Sequence, residues 1–296
     1  MAACYYIVHE RIGGGSYGDV HRATHKATGQ RVAIKSMEVD ETQGVPYSTL
    51  REVSLLSRLS HPNVVHLIDW AIVKGCVRLV LPYCETDLHS FLLLQRADGG
   101  VPAEVARSMT FQLLCGVAYL HSVDVAHRDL KPGNLLVCDG GRRVRIADFG
   151  CGRRMVDRDR DYSPVFGTKP YRAPEALLGA TRYGFSVDVW ACGCIASELV
   201  TGERLFRGET DVAVLAAIFV LVGAPPQGSE LWRQWTTQGG GANAHAGAGG
   251  GARDAASLAS LHPTASAACL DLLSRMLCLT DRIAAHEAAS HPHFTP

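Results

Sequence analysis

Apolar and polar positions follow a short period over the first eighty residues and a helical one afterwards. Residues 12–20, IGGGSYGDV, lead into DVHRATHKATGQRVAIKSMEV, where Val20, Arg22 and Thr24 alternate with polar positions. Thr28-Gly29 marks a turn, and RVAIKSMEV restarts a β-branched run. This pattern predicts a hairpin. PYSTLREVSLLSRLS spaces Leu50, Val53, Leu56 and Leu59 by three, with Pro46 ahead and His61-Pro62 behind, and predicts a helix. VVHLIDWAIVKGCVRLVLPY predicts two more strands that turn near Lys74-Gly75. From Asp87 the character is helical: Pro102 suits a first turn, and Val105, Met109, Leu113, Val117 and Leu120 form one stripe. Residues 188–200, stopped by Gly202, predict a buried helix, and residues 211–222, stopped by Gly223, another.

A β-rich first part and a larger helical part predict an α+β chain of two lobes. Residues 1–81 make the small lobe with its one main helix, residues 82–86 the connection, and residues 87–296 the large lobe. The cleft between them is the expected ligand site. Residues 239–252, GGGANAHAGAGGGA, cannot bury apolar surface and predict a flexible surface loop.

Composition narrows the partners. Basic and acidic residues balance at 29 each, so no general attraction to nucleic acid or anionic membrane is expected. The ten cysteines are scattered with no C-x-x-C pair, which predicts free thiols in a reducing compartment. Neither Cys192-x-Cys194 nor His291-x-His293 has zinc-site spacing. MAACYYIVHERI lacks a basic region followed by an apolar stretch, and the longest apolar run, residues 212–222, falls short of the roughly 20 residues a membrane span needs. A soluble intracellular protein of the cytoplasm or nucleus is expected.

Gly13, Gly15 and Gly18 fit G-x-G-x-x-G, which serves two chemistries. In a dinucleotide-binding fold the glycines open a helix that carries a pyrophosphate. In a phosphotransfer enzyme they turn a hairpin over ATP. Glu38 and Asp40 lie about where a ribose-binding acid belongs, but a strand, not a helix, follows Gly18.

Further runs come in order: VAIK with Lys35, Glu52 on the first helix, HRDLKPGN at 127–134, DFG at 148–150 and APE at 173–175. Phosphoryl transfer moves a highly charged group through a loosely bonded transition state, so positioning and charge neutralisation dominate. Lys35 is a point cation suited to the α- and β-phosphates, with Glu52 to hold it. Asn134 and Asp148 offer the oxygen ligands Mg²⁺ prefers. Asp129 can accept the substrate hydroxyl's proton, and Lys131 can neutralise the transferring phosphate. Singly, each residue could be a surface charge or turn former, and His127 is expected to be a packed residue that orients the loop. Together they resemble the eukaryotic protein kinases over nearly the whole chain. A catalytically silent kinase-fold scaffold is the competing reading, although such proteins usually lack one of these residues.

GVPYSTLREVSLL, ETDL, YRAPEALLG, DVWACGC and LFRGETDVAVLAAIF resemble the cyclin-dependent kinase branch. The resemblance implies a proline-directed serine/threonine kinase that uses ATP and Mg²⁺, acts on proteins and contacts a cyclin through residues 46–52. It implies a phosphate lid of Ile12, Gly13, Gly14, Gly15, Ser16, Tyr17, Gly18 and Val20, with Ser16 and Tyr17 as inhibitory phosphorylation positions. It further implies an adenine pocket of Ala33, Leu81 as gatekeeper, Pro82, Cys84, Asp87 and Leu136. Arg51, Arg128 and Arg153 are implied to converge on phosphorylated Ser163, and Gly167, Thr168 and Arg172 to meet the substrate. Pro170 and Gly167 replace the family's tryptophan and valine, Tyr47 replaces a serine in the first-helix motif, and the run near Arg282 is shorter. These leave the cyclin partner and the start of the last helix open, and a cyclin-independent kinase of the same branch is the alternative.

Overall fold

The structure, a computed structural model, describes residues 5–15, 18–40, 42, 44–97, 99–156, 161–163, 166–237 and 255–295. Ser16, Tyr17 and the glycine-rich run at 239–252 lie outside the described residues. The predicted strands form one five-stranded antiparallel sheet. β1 (Tyr6–Gly15), β2 (Gly18–His25), β3 (Arg31–Glu38), β4 (Asp69–Val73) and β5 (Cys76–Pro82) lie in the order β1-β2-β3-β5-β4. The β4–β5 turn falls at Lys74 and Gly75, both left-handed at φ 49° and 72°, as a tight hairpin requires.

Strand alternation sorts the faces of β3. Val32 and Ile34 cluster with Ala23 and Val80 on one side. Met37 joins the main core on the other, and period two puts Ala33 and Lys35 on that same side. There α1 (Tyr47–Leu56) packs, with Leu55 and Leu56 in the core and the Thr49 hydroxyl donating to the Met37 sulfur. Of the four spaced apolar positions Leu56 and Leu59 are buried and Val53 packs against the core. Leu50 is half exposed, and the inward positions are Thr49, Glu52, Leu55 and Leu56. On this face Glu52 meets Lys35 of β3, whose ammonium pairs its buried carboxylate.

Beyond β5 the chain is mainly helical. β6 (Thr86–Asp87), α2 (Leu88–Ala97), α3 (Ala103–Ser122), β7 (Val125–Ala126), β8 (Leu135–Cys138), β9 (Arg143–Ile146) and β10 (Arg153–Arg154) follow. β6, β8 and β9 form a three-stranded sheet, and β7 pairs with β10. Then come α4 (Pro174–Leu177), α5 (Ser186–Thr201), α6 (Asp211–Val222), α7 (Glu230–Thr237), α8 (Ala255–Leu261), α9 (Ala267–Met276) and α10 (Ala285–Ala289). The stripe predicted for α3 is its buried face, with Met109, Leu113, Val117 and Leu120 all at 1 % exposure or less. Burying each such side chain stabilises the fold by about 1.5–3 kcal/mol. α5 is buried on nearly every side and ends at Gly202, whose φ of 72° is the left-handed stop its position predicts. α6 also ends at a glycine of positive φ, Gly223 at 86°, with the chain extended at ψ 166° instead of left-handed helical.

One expectation about the cysteines is corrected. Cys84 and Cys138 form a disulfide, with 4.6 Å between their Cα atoms. They are 54 residues apart, and no spacing pattern marks them; the fold alone brings the β5–β6 connection down onto the end of β8. No helix among the described residues is long and apolar enough to cross a membrane.

Candidate active site

Lys35 sits opposite Val20 on one side of β3 and Leu79 on the other, near the middle of the sheet. Its Nζ donates to both carboxylate oxygens of Glu52, at 2.8 and 2.9 Å, and to Asp148 Oδ1 at 3.0 Å. Burial opposes the lysine's charge, but the two carboxylates outweigh it and hold its pKa above the ordinary value. The same contest favours ionised Asp148: burial pushes its carboxyl up, and Lys35 pulls it below the usual range. Glu52, at 2 % exposure, is the deepest of the three, and there burial prevails and raises its pKa.

Asp148 holds a left-handed φ of 64°, a conformation aspartate tolerates better than most residues, and a 3₁₀ turn at Phe149–Cys151 follows. Phe149 is fully buried edge-on to His127. The His127 ring is itself fully buried, with Nε2 2.9 Å from the Ala147 carbonyl, which makes it the packed residue that was expected.

The loop after His127 carries a tight polar cluster. Thr168 Oγ1 donates to Asp129 Oδ1 at 2.8 Å, and Lys131 Nζ reaches Oδ2 at 2.9 Å and Thr168 Oγ1 at 3.0 Å. Asn134 Nδ2 donates to the Asp129 carbonyl at 2.7 Å and to Oδ2 at 3.1 Å. The Asn134 amide therefore keeps its Oδ1 as the atom able to ligate a cation. With Asp148 it makes a hard oxygen pair of the kind Mg²⁺ takes, so the donor set fits that ion.

Asp188 is a residue positioning the loop at His127 and Arg128 that the sequence reading missed. Only 1 % exposed at the start of α5, it accepts from the backbone N–H groups of His127 at 2.9 Å and Arg128 at 2.8 Å, and lies 3.0 Å from His121 Nε2. These bonds outweigh burial and keep its carboxyl below the usual range. An acid heading the mostly apolar DVWACGCIASELV run, whose one other charge is Glu198, was the available signal, because a buried charge needs partners.

The glycine hairpin closes with Gly15 opposite Gly18, and Gly13 and Gly14 pair with Val20 and Asp19. Gly18 has φ 119°, and a Cβ there would lie 2.1 Å from the Ser36 carbonyl oxygen, so only glycine fits. Ile12 is exposed and Val20 half-buried on this hairpin. Ala33 pairs with Leu81 and Val32 with Pro82 across β3–β5, while Leu136 on β8 is half-buried below. Asp87 caps α2, accepting from Ser90 N and Oγ at 3.0 and 2.9 Å.

Two of the three arginines meet on adjacent residues. Arg51 Nη1 donates to the Gly150 carbonyl at 3.0 Å and Arg128 Nε to that of Cys151 at 2.8 Å. Arg153 lies two residues on, in β10, opposite Ala126. Arg128 Nη1 also donates to the Tyr183 hydroxyl, which in turn donates to the Ser163 carbonyl at 2.9 Å. Ser163 is exposed. Gly167 has φ 71°, and its carbonyl accepts from Arg172 Nη2 at 2.8 Å. Arg282 pairs bidentately with Glu175 at 2.7 and 3.1 Å and stacks over Trp190, which anchors the APE run, and α10 starts three residues later.

The protein kinase domain model matches residues 6–294. The chain is 39 % identical to Cyclin-dependent kinase B2-1 of Arabidopsis thaliana, over 96 % of this chain and 92 % of that protein. It is 37 % identical to Cell division control protein 2 homolog 3 of Trypanosoma brucei brucei, over 96 % and 90 %. With the β-sheet lobe, the helical lobe and the motif residues gathered between them, the chain belongs to the protein kinase family, in its cyclin-dependent-kinase-like branch.

Proposed function

We propose that this protein transfers the γ-phosphoryl group of ATP to serine or threonine hydroxyls of intracellular proteins, at sites followed by proline. One observation carries the reading: Lys35, Glu52 and Asp148 are bonded into one triangle and Asp129, Lys131, Asn134 and Thr168 into one cluster, and the Ala147 N–H, next to Asp148, donates to the Asn134 carbonyl at 2.9 Å. Lys35, its charge secured by two carboxylates, binds the α- and β-phosphates. Backbone N–H groups of the glycine hairpin, over residues 12–20, cover them. Asp129 takes the proton from the attacking hydroxyl, with Thr168 and Lys131 fixing its carboxylate. Lys131 offsets charge on the transferring group. Asn134 and Asp148 would hold Mg²⁺, which would further neutralise the phosphate oxygens when bound.

The proline preference is supported at Gly167. Its carbonyl is engaged by Arg172, so a substrate N–H placed there would go unpaired, a cost that proline lacking that donor avoids. For a second chain, α1 offers Tyr47, 85 % exposed, and Leu50, 50 % exposed, as an apolar face suited to a cyclin. The Lys35–Glu52 contact already closed in the single chain favours a second reading, activity without a cyclin.

The test is ATP-dependent phosphorylation of a Ser-Pro peptide by wild type and Asp129→Asn, with and without an added cyclin. The variant should lose roughly 10²–10⁴-fold in kcat with little change in KM for ATP. Equal transfer by both would remove Asp129 from the mechanism. No transfer by wild type under either condition would favour a catalytically silent scaffold.

A further inference from the structure

The Cys84–Cys138 bridge lies where the two lobes connect. Thr86 and Asp87 of β6 pair with Val137 and Leu136 of β8, and that ladder ends one residue short of Cys138. The bridge therefore continues the pairing covalently, at the point where the chain leaves β5 for the helical lobe. On β8 the buried Leu135 and Val137 join the main core, whereas Leu136 is half-buried. Strand alternation places Cys138 on the Leu136 face. Cys84 is buried to 9 % exposure and Cys138 to 3 %.

From this we propose that Cys84 and Cys138 are a reversible thiol–disulfide site whose redox state sets the mobility of residues 82–87 and, through them, the affinity for nucleotide. The second half rests on the proposed function and on the adenine pocket, with Pro82 and Cys84 in it, that the resemblance implies. The chemistry balances with an oxidised low-molecular-weight thiol as co-reactant. One cysteine thiolate attacks its S–S bond, forming a mixed disulfide and releasing one thiol. The second cysteine then displaces the other thiol, so the two cysteines are oxidised and the co-reactant is reduced to two thiols. A dithiol reverses both steps. Bridged, the connection is pinned covalently to β8; reduced, it keeps the two β6–β8 residue pairs, the Val32–Pro82 pair and the Arg31 guanidinium over the Tyr83 ring. A connection fixed in one conformation loses less freedom on binding, so the bridged form should bind nucleotide more tightly.

The experiment compares full-length protein treated with oxidised glutathione and with dithiothreitol. Peptide mass mapping without reductant should recover the 84–138 cross-link, two hydrogens lighter than the paired thiols. Backbone hydrogen exchange over residues 82–87 should be at least threefold faster after reduction, and the Kd for a fluorescent ATP analogue at least threefold weaker. Cys138→Ser should show the reduced-form exchange rate under both treatments. Absence of the cross-linked peptide after oxidation, or identical exchange and Kd in the two forms, would overturn the proposal. Exchange that responds to redox while neither form binds the analogue would support the redox site and count against the kinase reading.

Discussion

Among single residues Asp188 carries a disproportionate structural duty, since three N–H donors converge on one buried carboxylate. Asparagine keeps one acceptor and turns an NH₂ toward a backbone N–H, so a charged bond is lost and a donor is left facing a donor. Such losses at a buried group run to about 3 kcal/mol, so Asp188→Asn should lower the urea midpoint sharply at neutral pH. The sign with pH follows from the depressed carboxyl. Its stabilisation is complete above the unfolded value near 4 and is lost as pH falls through the lower folded value. The gap between wild type and Asp188→Asn, followed by urea titration at several pH values, should hold steady above about pH 5 and shrink below about 4. A gap unchanged down to pH 3 would contradict this account of Asp188.

At the scale of elements, the segment between Asp148 and α4 depends on contacts from far along the chain. Arg51 arrives from α1 and Arg128 from the loop after β7, and each binds a carbonyl at Gly150 or Cys151. Tyr183 links Arg128 to the backbone of Ser163. Cations gathered this closely repel one another, and a phosphate dianion on Ser163 would relieve that and order the segment through charge-assisted hydrogen bonds. Phosphorylated wild type should therefore exceed its phosphatase-treated form at least tenfold in kcat/KM toward a Ser-Pro peptide, and Ser163→Ala should match the treated form. Full activity in Ser163→Ala would show that the segment orders without phosphate. The resemblance implied Ser163, but Tyr183 carried no mark in the sequence, because its part depends on a hydroxyl placed by the fold. On α1 the apolar spacing was legible at Val53, Leu56 and Leu59, whereas Leu50 is half exposed and the inward place of Glu52 depends on its ion pair with β3.

In the whole molecule, what the sequence disclosed was chemistry in order, and what it withheld was pairing. Lys35, Glu52, Asp129, Asn134 and Asp148 were legible because phosphate chemistry demands those residue types in short runs. The Cys84–Cys138 link and the anchoring of the catalytic loop on α5 were not, since both join segments through the folded core. The Lys35–Asp148 contact is such a join as well, tying β3 to the start of the DFG turn across the cleft. It makes nucleotide binding a property of both lobes at once. MgADP at a hundred times its Kd should stabilise wild type by about 2.7 kcal/mol, a rise in Tm of several degrees for a chain this long. Lys35→Met removes the cation and leaves two carboxylates facing one site, so phosphate binding there meets uncompensated negative charge. Its Tm should move far less at the same MgADP concentration, whereas Asp129→Asn, which removes only the proton acceptor for the attacking hydroxyl, should keep the wild-type shift. If Lys35→Met kept the full shift, the phosphates would have to lie away from Lys35, and the cleft between the two carboxylate clusters would no longer be the place where ATP is held.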